Sequence, residues 1–191
     1  MYYRCGNGWA FSLAMLAIVL LPGSSFAQKP SAGGQEQEEA LVVCNQVRLN
    51  LSGAETVVRA ARAKAAEMEL KVNIAVVDDG GHLLAFARMD GARPASSYTA
   101  ITKAVSSATL RAPTGPIQRG GDAPDPLLNL SLQNAAAASG GKFTALYGGV
   151  PIKVDDQVIG AVGVGGATGE QDAEIARAGI DALIKALGEP R

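Results

Sequence analysis

Val72 to Met89, VNIAVVDDGGHLLAFARM, is the most informative stretch of this 191-residue chain. Val72–Val77 is a β-rich run, Asp78-Asp79-Gly80-Gly81 interrupts it, and His82–Met89 resumes the apolar character. Two such runs about a short Asp/Gly turn predict a β-hairpin, so the strands are adjacent and antiparallel. Upstream, Ser52-Gly53-Ala54-Glu55 reads as a capping box, and Ala54, Val57, Val58, Ala61, Ala65 and Met68 follow at helical spacing. Downstream, Tyr98, Ile101, Val105, Ala108 and Ala112 form a helical stripe that stops before Pro113. Pro113–Pro126 is rich in proline and glycine and reads as a long irregular loop. Asp125-Pro126 then supplies the N-cap and first residue of a short helix to Ala138. Phe143–Tyr147, Val150–Val154 and Gln157–Val164 read as short strands, the last two joined by a tight Asp155-Asp156 turn. Thr168 and Gln171 make a second capping box, and Ala176, Ile180, Leu183, Ile184 and Leu187 give the closing helix its apolar stripe. This order predicts an α+β fold, a five-stranded antiparallel sheet flanked by helices, and excludes a doubly wound parallel sheet.

Composition narrows the function. With 17 basic against 18 acidic residues and no long basic run, the chain lacks the electrostatic footprint of a nucleic-acid binder. Aromatics make up 5% while glycine reaches 23 residues, which points to a small aliphatic core with close backbone contacts and excludes a base-stacking platform.

Residues 1–27 read as a bacterial signal peptide: Arg4, an apolar run from Trp9 to Leu21, and the small-residue cleavage site Ser25-Phe26-Ala27. That run falls short of the about 20 apolar residues of a membrane span. The mature protein is therefore expected in the periplasm or outside the cell, with no membrane partner after cleavage. Residues 28–40 read as a flexible segment and 41–191 as one domain. Cys5 leaves with the peptide; Cys44 has no internal disulfide partner and is either a buried or tolerated thiol, the plainer reading, or an intermolecular bridge or ligand.

Gly160–Gly169, GAVGVGGATG, suggests a phosphate cradle, but Thr168 stands where the dinucleotide fingerprint needs its third glycine. Close helix–strand packing is the favoured reading, with an anion docked on amides near Thr168 as the alternative. His82 is the single histidine, so it is either a solvated turn residue or the one imidazole available to a metal. Strand alternation puts His82, Leu84, Phe86 and Arg88 on one face, an apolar patch between an imidazole and a guanidinium. Such a patch suits a tetrapyrrole: haem iron takes histidine axially and propionates take arginine or lysine. Lys103 and Arg111 offer further cations, with a solvated position and a helix-dipole role as their plainer readings. Pro113-Thr114 opens the long loop, where termination of the helix is the plainer role.

Val76–Ala92, Thr102–Gly115, Gly148–Ile152 and Val158–Leu183, taken in order, resemble the GlcG/HbpS family, the haem-degrading domain family. The resemblance spans Leu51 to Leu187 and implies a profilin-like α+β fold, homo-oligomers, and a role in haem binding or breakdown. Lys103-Ala104 and Pro113-Thr114 match family motifs near the implied pocket, and the resemblance implies a haem-contacting threonine in this region in one branch. The resemblance and the His82/Arg88 strand face together lead to haem as the expected cofactor, with His82 or Thr114 near the iron and Arg88, Lys103 or Arg111 at the propionates. The rival expectation is a small-carboxylate-binding accessory protein or enzyme using Gly165–Thr168 and Lys103.

Overall fold

The hairpin forms as its sequence predicts: β1 (Asn73–Asp78) pairs antiparallel with β2 (Leu83–Arg88) in a computed structural model that describes residues 46–118 and 123–188. The expected signal peptide, the segment 28–40, Cys5 and Cys44 lie outside the described residues. The remaining elements are α1 (Leu51–Glu67), α2 (Ser96–Leu110), α3 (Pro126–Ala138), β3 (Gly149–Val154), β4 (Gln157–Gly165) and α4 (Gly169–Gly188). The strands make an antiparallel sheet in the order β2-β1-β4-β3. Helices α1 and α4 cover one face and α2 the other. No helix of the described residues is long and apolar enough to cross a membrane.

The larger core lies between the sheet and the α1/α4 layer, where Val57, Ile74, Val76, Ile152, Val162, Val164 and Ile175 are fully buried. Burying each such side chain contributes roughly 1.5–3 kcal/mol. The second core is thin. Ala100, Ala104 and Ala108 of α2 rest directly on Ala75, Val77 and Ala161. A Cβ at Gly163 would collide with the Ala100 carbonyl and the Ala104 amide, and one at Gly165 would stand 2.7 Å from the Ser96 carbonyl. The glycine-rich strand therefore serves close packing, as the sequence favours, and the helix it admits is α2 rather than the one that follows it.

Several expectations are corrected. The sheet has four strands among the described residues, not five, because Phe143–Tyr147 forms no ladder. Its polar backbone groups go to side chains instead: Thr144 N donates to Ser106 Oγ, Leu146 N to Thr144 Oγ1, and the Leu146 carbonyl accepts from Thr114 Oγ1. Helix α1 is capped by Asn50, whose side chain accepts from Gly53 N at 2.8 Å, and not by Ser52. The buried stripe of α2 is Ala100, Lys103, Ala104, Ser107 and Ala108, so Tyr98, Ile101 and Val105 are turned toward its flank. In α4 the core stripe includes Asp172 and Ile175, while Ile184 and Leu187 are exposed. By contrast, the Asp125 cap of α3, the Thr168/Gln171 box of α4 and the Asp155-Asp156 turn form as expected.

Candidate functional site

The predicted site residues separate into two places. Lys103 and Thr114 come together in the interior. Lys103 Nζ donates to the Val164 carbonyl and to Asp172 Oδ2, each at 2.8 Å, with side chains only 6% and 2% exposed. Asp172 Oδ1 accepts from Ala167 N at 3.2 Å, so the carboxylate also closes the start of α4. Thr114 Oγ1 accepts from Gly149 N and donates to the Leu146 carbonyl. Gly148, at φ +113°, lets the chain pass: a Cβ there would meet Asp172 Cβ at 2.6 Å and Lys103 Nζ at 2.9 Å. A buried charge is tolerated when it is paired and its remaining valences are hydrogen-bonded. This arrangement joins α2, β4, α4 and the turn before β3, beside a cleft of about 400 Å³ that Arg93, Thr99, Tyr147 and Glu170 also line.

The same geometry answers the anion-docking alternative. The amides of Ala167, Thr168 and Gln171 are engaged by Asp172, Gln171 and Thr168 side chains, and Asp172 N donates to the Thr168 carbonyl. With Lys103 paired to Asp172, a second carboxylate at this position would meet the standing charge of Asp172.

His82 lies elsewhere, at the turn between β1 and β2, with its side chain 83% exposed. Its Nδ1 is 3.2 and 3.3 Å from the two carboxylate oxygens of Asp78. A carboxylate accepts only, so Nδ1 carries the hydrogen, and in the neutral ring the lone pair sits on Nε2. Burial opposes ionisation of Asp78, but amide bonds from His82 and Gly80 and the adjacent imidazole outweigh it and hold its pKa below the ordinary 3.8. The turn presses on the second half of α2, since a Cβ at Gly81 would stand 3.2 Å from Val105 Cγ1. Arg111, the left-handed C-cap of α2 at φ 56°, is exposed at that end of the helix.

The strand face that was expected to carry His82, Leu84, Phe86 and Arg88 is broken. Val76 opposes Ala85 and Val77 opposes Leu83, so Leu84 is an extra residue, a β-bulge, and it packs into the α1/α4 core. Leu83, Phe86 and Arg88 remain on the α2 side, as their partners Val77, Ala75 and Asn73 do. Helix α2 sits over β4, β1 and β3 and leaves that face of β2 open. Leu83 and Phe86 are accordingly 50% and 39% exposed beside the flank of α2, where Tyr98 is 76% exposed. Arg88 stands at the far end of this shelf, six residues from His82 along the chain, a span of about 20 Å. Among the described residues no group of three or more His, Cys, Asp and Glu is placed to hold a metal.

Asp172 is the site residue that the sequence reading missed. It falls in register with Ala176, Gly179 and Leu183 on the buried stripe of α4, and a charge on such a stripe signals a buried partner.

Comparison with known proteins identifies the family. A family model described as HbpS-like, haem degrading protein HbpS-like, matches residues 49–181. The chain belongs to the HbpS-like family. Protein GlcG of Escherichia coli K12 is 39% identical over 119 residues, 62% of this chain and 82% of GlcG. Among solved structures, a double mutant of Streptomyces reticuli HbpS is 29% identical with a TM-score of 0.61, covering 84% of this chain and 99% of HbpS. A PduOC:Heme complex is 27% identical with a TM-score of 0.59, covering 71% of this chain and 95% of that one. Within the HbpS-like family a haem-related role is thus supported for this chain.

Proposed function

We propose that this HbpS-like protein is exported, assembles as a homo-oligomer, and binds haem or a related tetrapyrrole in haem sequestration, sensing or breakdown. The macrocycle lies on the open face of β2. The observation that carries this reading is an exposed, carboxylate-backed imidazole, His82 on Asp78, in the turn that leads into edge strand β2, whose Leu83 and Phe86 are themselves exposed. A metal-binding histidine characteristically donates its second ring N–H to a carboxylate, which fixes the ring and raises the basicity of the ligating nitrogen. His82 Nε2 would ligate the iron, Leu83 and Phe86 would bury one side of the ring system, and Arg88 or Arg111 would pair with propionates. Bound haem supplies a redox-active iron and a visible chromophore; the protein residues hold and orient it. Lys103 and Thr114 contribute from the interior, by fixing α2 and the turn before β3. The family description and the haem-bound relative support the ligand class. The apolar run Trp9–Leu21 with Arg4 supports export.

Titration of the mature protein with hemin, followed at the Soret band, tests the reading. A saturable shift is expected, with affinity reduced about 10–100-fold in Asp78→Asn and at least as far in His82→Ala. Absence of saturation, or an unchanged bound spectrum in His82→Ala, removes His82 as ligand and the shelf as site.

A further inference from the structure

Helix α3 carries no charge and contributes nothing to either core. From Pro126 to Gly141 the chain has no Asp, Glu, Lys or Arg, and none of the 13 residues of α3 is fully buried. Its inner side, Leu128, Asn129, Leu132 and Ala136, is half-buried, and a cleft of about 570 Å³ that Phe143 and Leu146 also line lies against it. Asn129 ties the helix to the preceding loop, accepting from Ile117 N at 2.9 Å and donating to the Ile117 carbonyl at 2.8 Å. The outer side is a single stripe. Leu127, 76% exposed, Leu130, 54% exposed, and the exposed Ser131, Asn134, Ala137 and Ala138 follow one another at helical spacing. A helix this short is marginal in water unless it packs an apolar face, yet two of its four leucines look outward.

We propose that this stripe docks a second copy of the chain, the two α3 helices lying antiparallel about a two-fold axis between Leu132 and Gln133. The inference rests on the homo-oligomer reading above and names its contact. Two properties select a second copy over another partner. The surface has no charge to offer, so a charged partner would bury its own charges unpaired, whereas a second α3 brings none. The stripe is also its own complement. Leucines occupy its first half and alanines its end, and a two-fold operation reverses that order, setting Leu127 on Ala138 and Leu130 on Ala137 of the second copy. Between these contacts Ser131 meets Asn134 of the second copy. Ser131 Oγ donates to the Leu127 carbonyl at 2.8 Å, so the hydroxyl can still accept from that amide, and the bond occurs twice across the axis. A helix of 13 residues is about 20 Å long. Such a pair alone covers less than the about 1,200 Å² of a standard interface, so the pairing is reversible and concentration-dependent.

Analytical ultracentrifugation of the mature protein over a wide range of concentrations tests the contact. The parent is expected to pass from a larger to a smaller species on dilution. Leu127→Lys and Leu130→Glu, both at exposed positions, should each weaken that association about tenfold or more while circular dichroism shows the fold retained. Adding Ala138→Glu to Leu127→Lys should restore it. The two positions are about 16 Å apart along one helix, too far to pair within a chain, and they meet only between antiparallel copies. Association that is unaltered by both single substitutions overturns the α3 contact and leaves the homo-oligomer reading standing. Weakening without recovery in the double variant overturns the antiparallel pairing. A parent that is monomeric at every concentration overturns the contact and the homo-oligomer reading together.

Discussion

Two carboxylate–base pairs, Lys103–Asp172 and His82–Asp78, sit on this sheet and are used in opposite ways. The first is nearly sealed from solvent and is bonded to the Val164 carbonyl and the Ala167 amide of the chain itself. The second leaves one nitrogen of an exposed ring free. Both pairs fix a side chain, but only in the exposed pair does a ring nitrogen stand open to solvent. Burial, more than residue type, therefore separates a group that holds the fold together from one available to a ligand.

The largest expected effect breaks the first pair. Lys103→Met leaves Asp172 charged, buried and uncompensated, and urea denaturation should register a loss of about 3–5 kcal/mol. Adding Asp172→Leu should recover much of that loss, because the penalty lies in the stranded charge; no recovery would mean that the carboxylate's bond to Ala167 N matters more than the pair. A smaller effect follows from forcing α2 away from the sheet. Gly163→Ala introduces a methyl against the backbone of Ala100 and Ala104 and should cost about 1–3 kcal/mol in the same measurement. The smallest effect concerns Asp78. Its pKa is depressed on folding, so the associated stability is present above the ordinary 3.8 and is lost as pH falls through the folded value. The difference in urea midpoint between the parent and Asp78→Asn should accordingly shrink from pH 6 to pH 3. A constant difference would show that hydrogen bonding alone, without charge, holds the His82 turn.

Much of the fold was legible where chemistry is local. The Asp78–Gly81 turn, the Asp125-Pro126 start and the Thr168/Gln171 box all form as read, because each depends on atoms a few residues apart. The orientation of α2 was not legible from its apolar residues. Tyr98, Ile101 and Val105 are the more hydrophobic stripe, yet Ala100, Ala104 and Ala108 face the sheet. Contact with a strand bearing Gly163 and Gly165 selects for small side chains, and ranking by hydrophobicity looks past them. The candidate site was divided for a related reason. Lys103 was visible as a cation, but its partner lies 69 residues away, and nothing nearby in sequence announces the pairing. His82, Leu84, Phe86 and Arg88 were read onto one face of the strand by assuming a uniform alternation; one extra residue at Leu84 breaks that face and transfers a leucine from it into the core.

That extra residue acts on more than the ligand face. An outermost strand with a regular row of unsatisfied backbone groups is a template on which other chains can add, the usual route to edge-to-edge aggregation. The irregularity in β2 interrupts that template beside its exposed leucine and phenylalanine, so the greasy margin comes without an unbroken row of pairing groups.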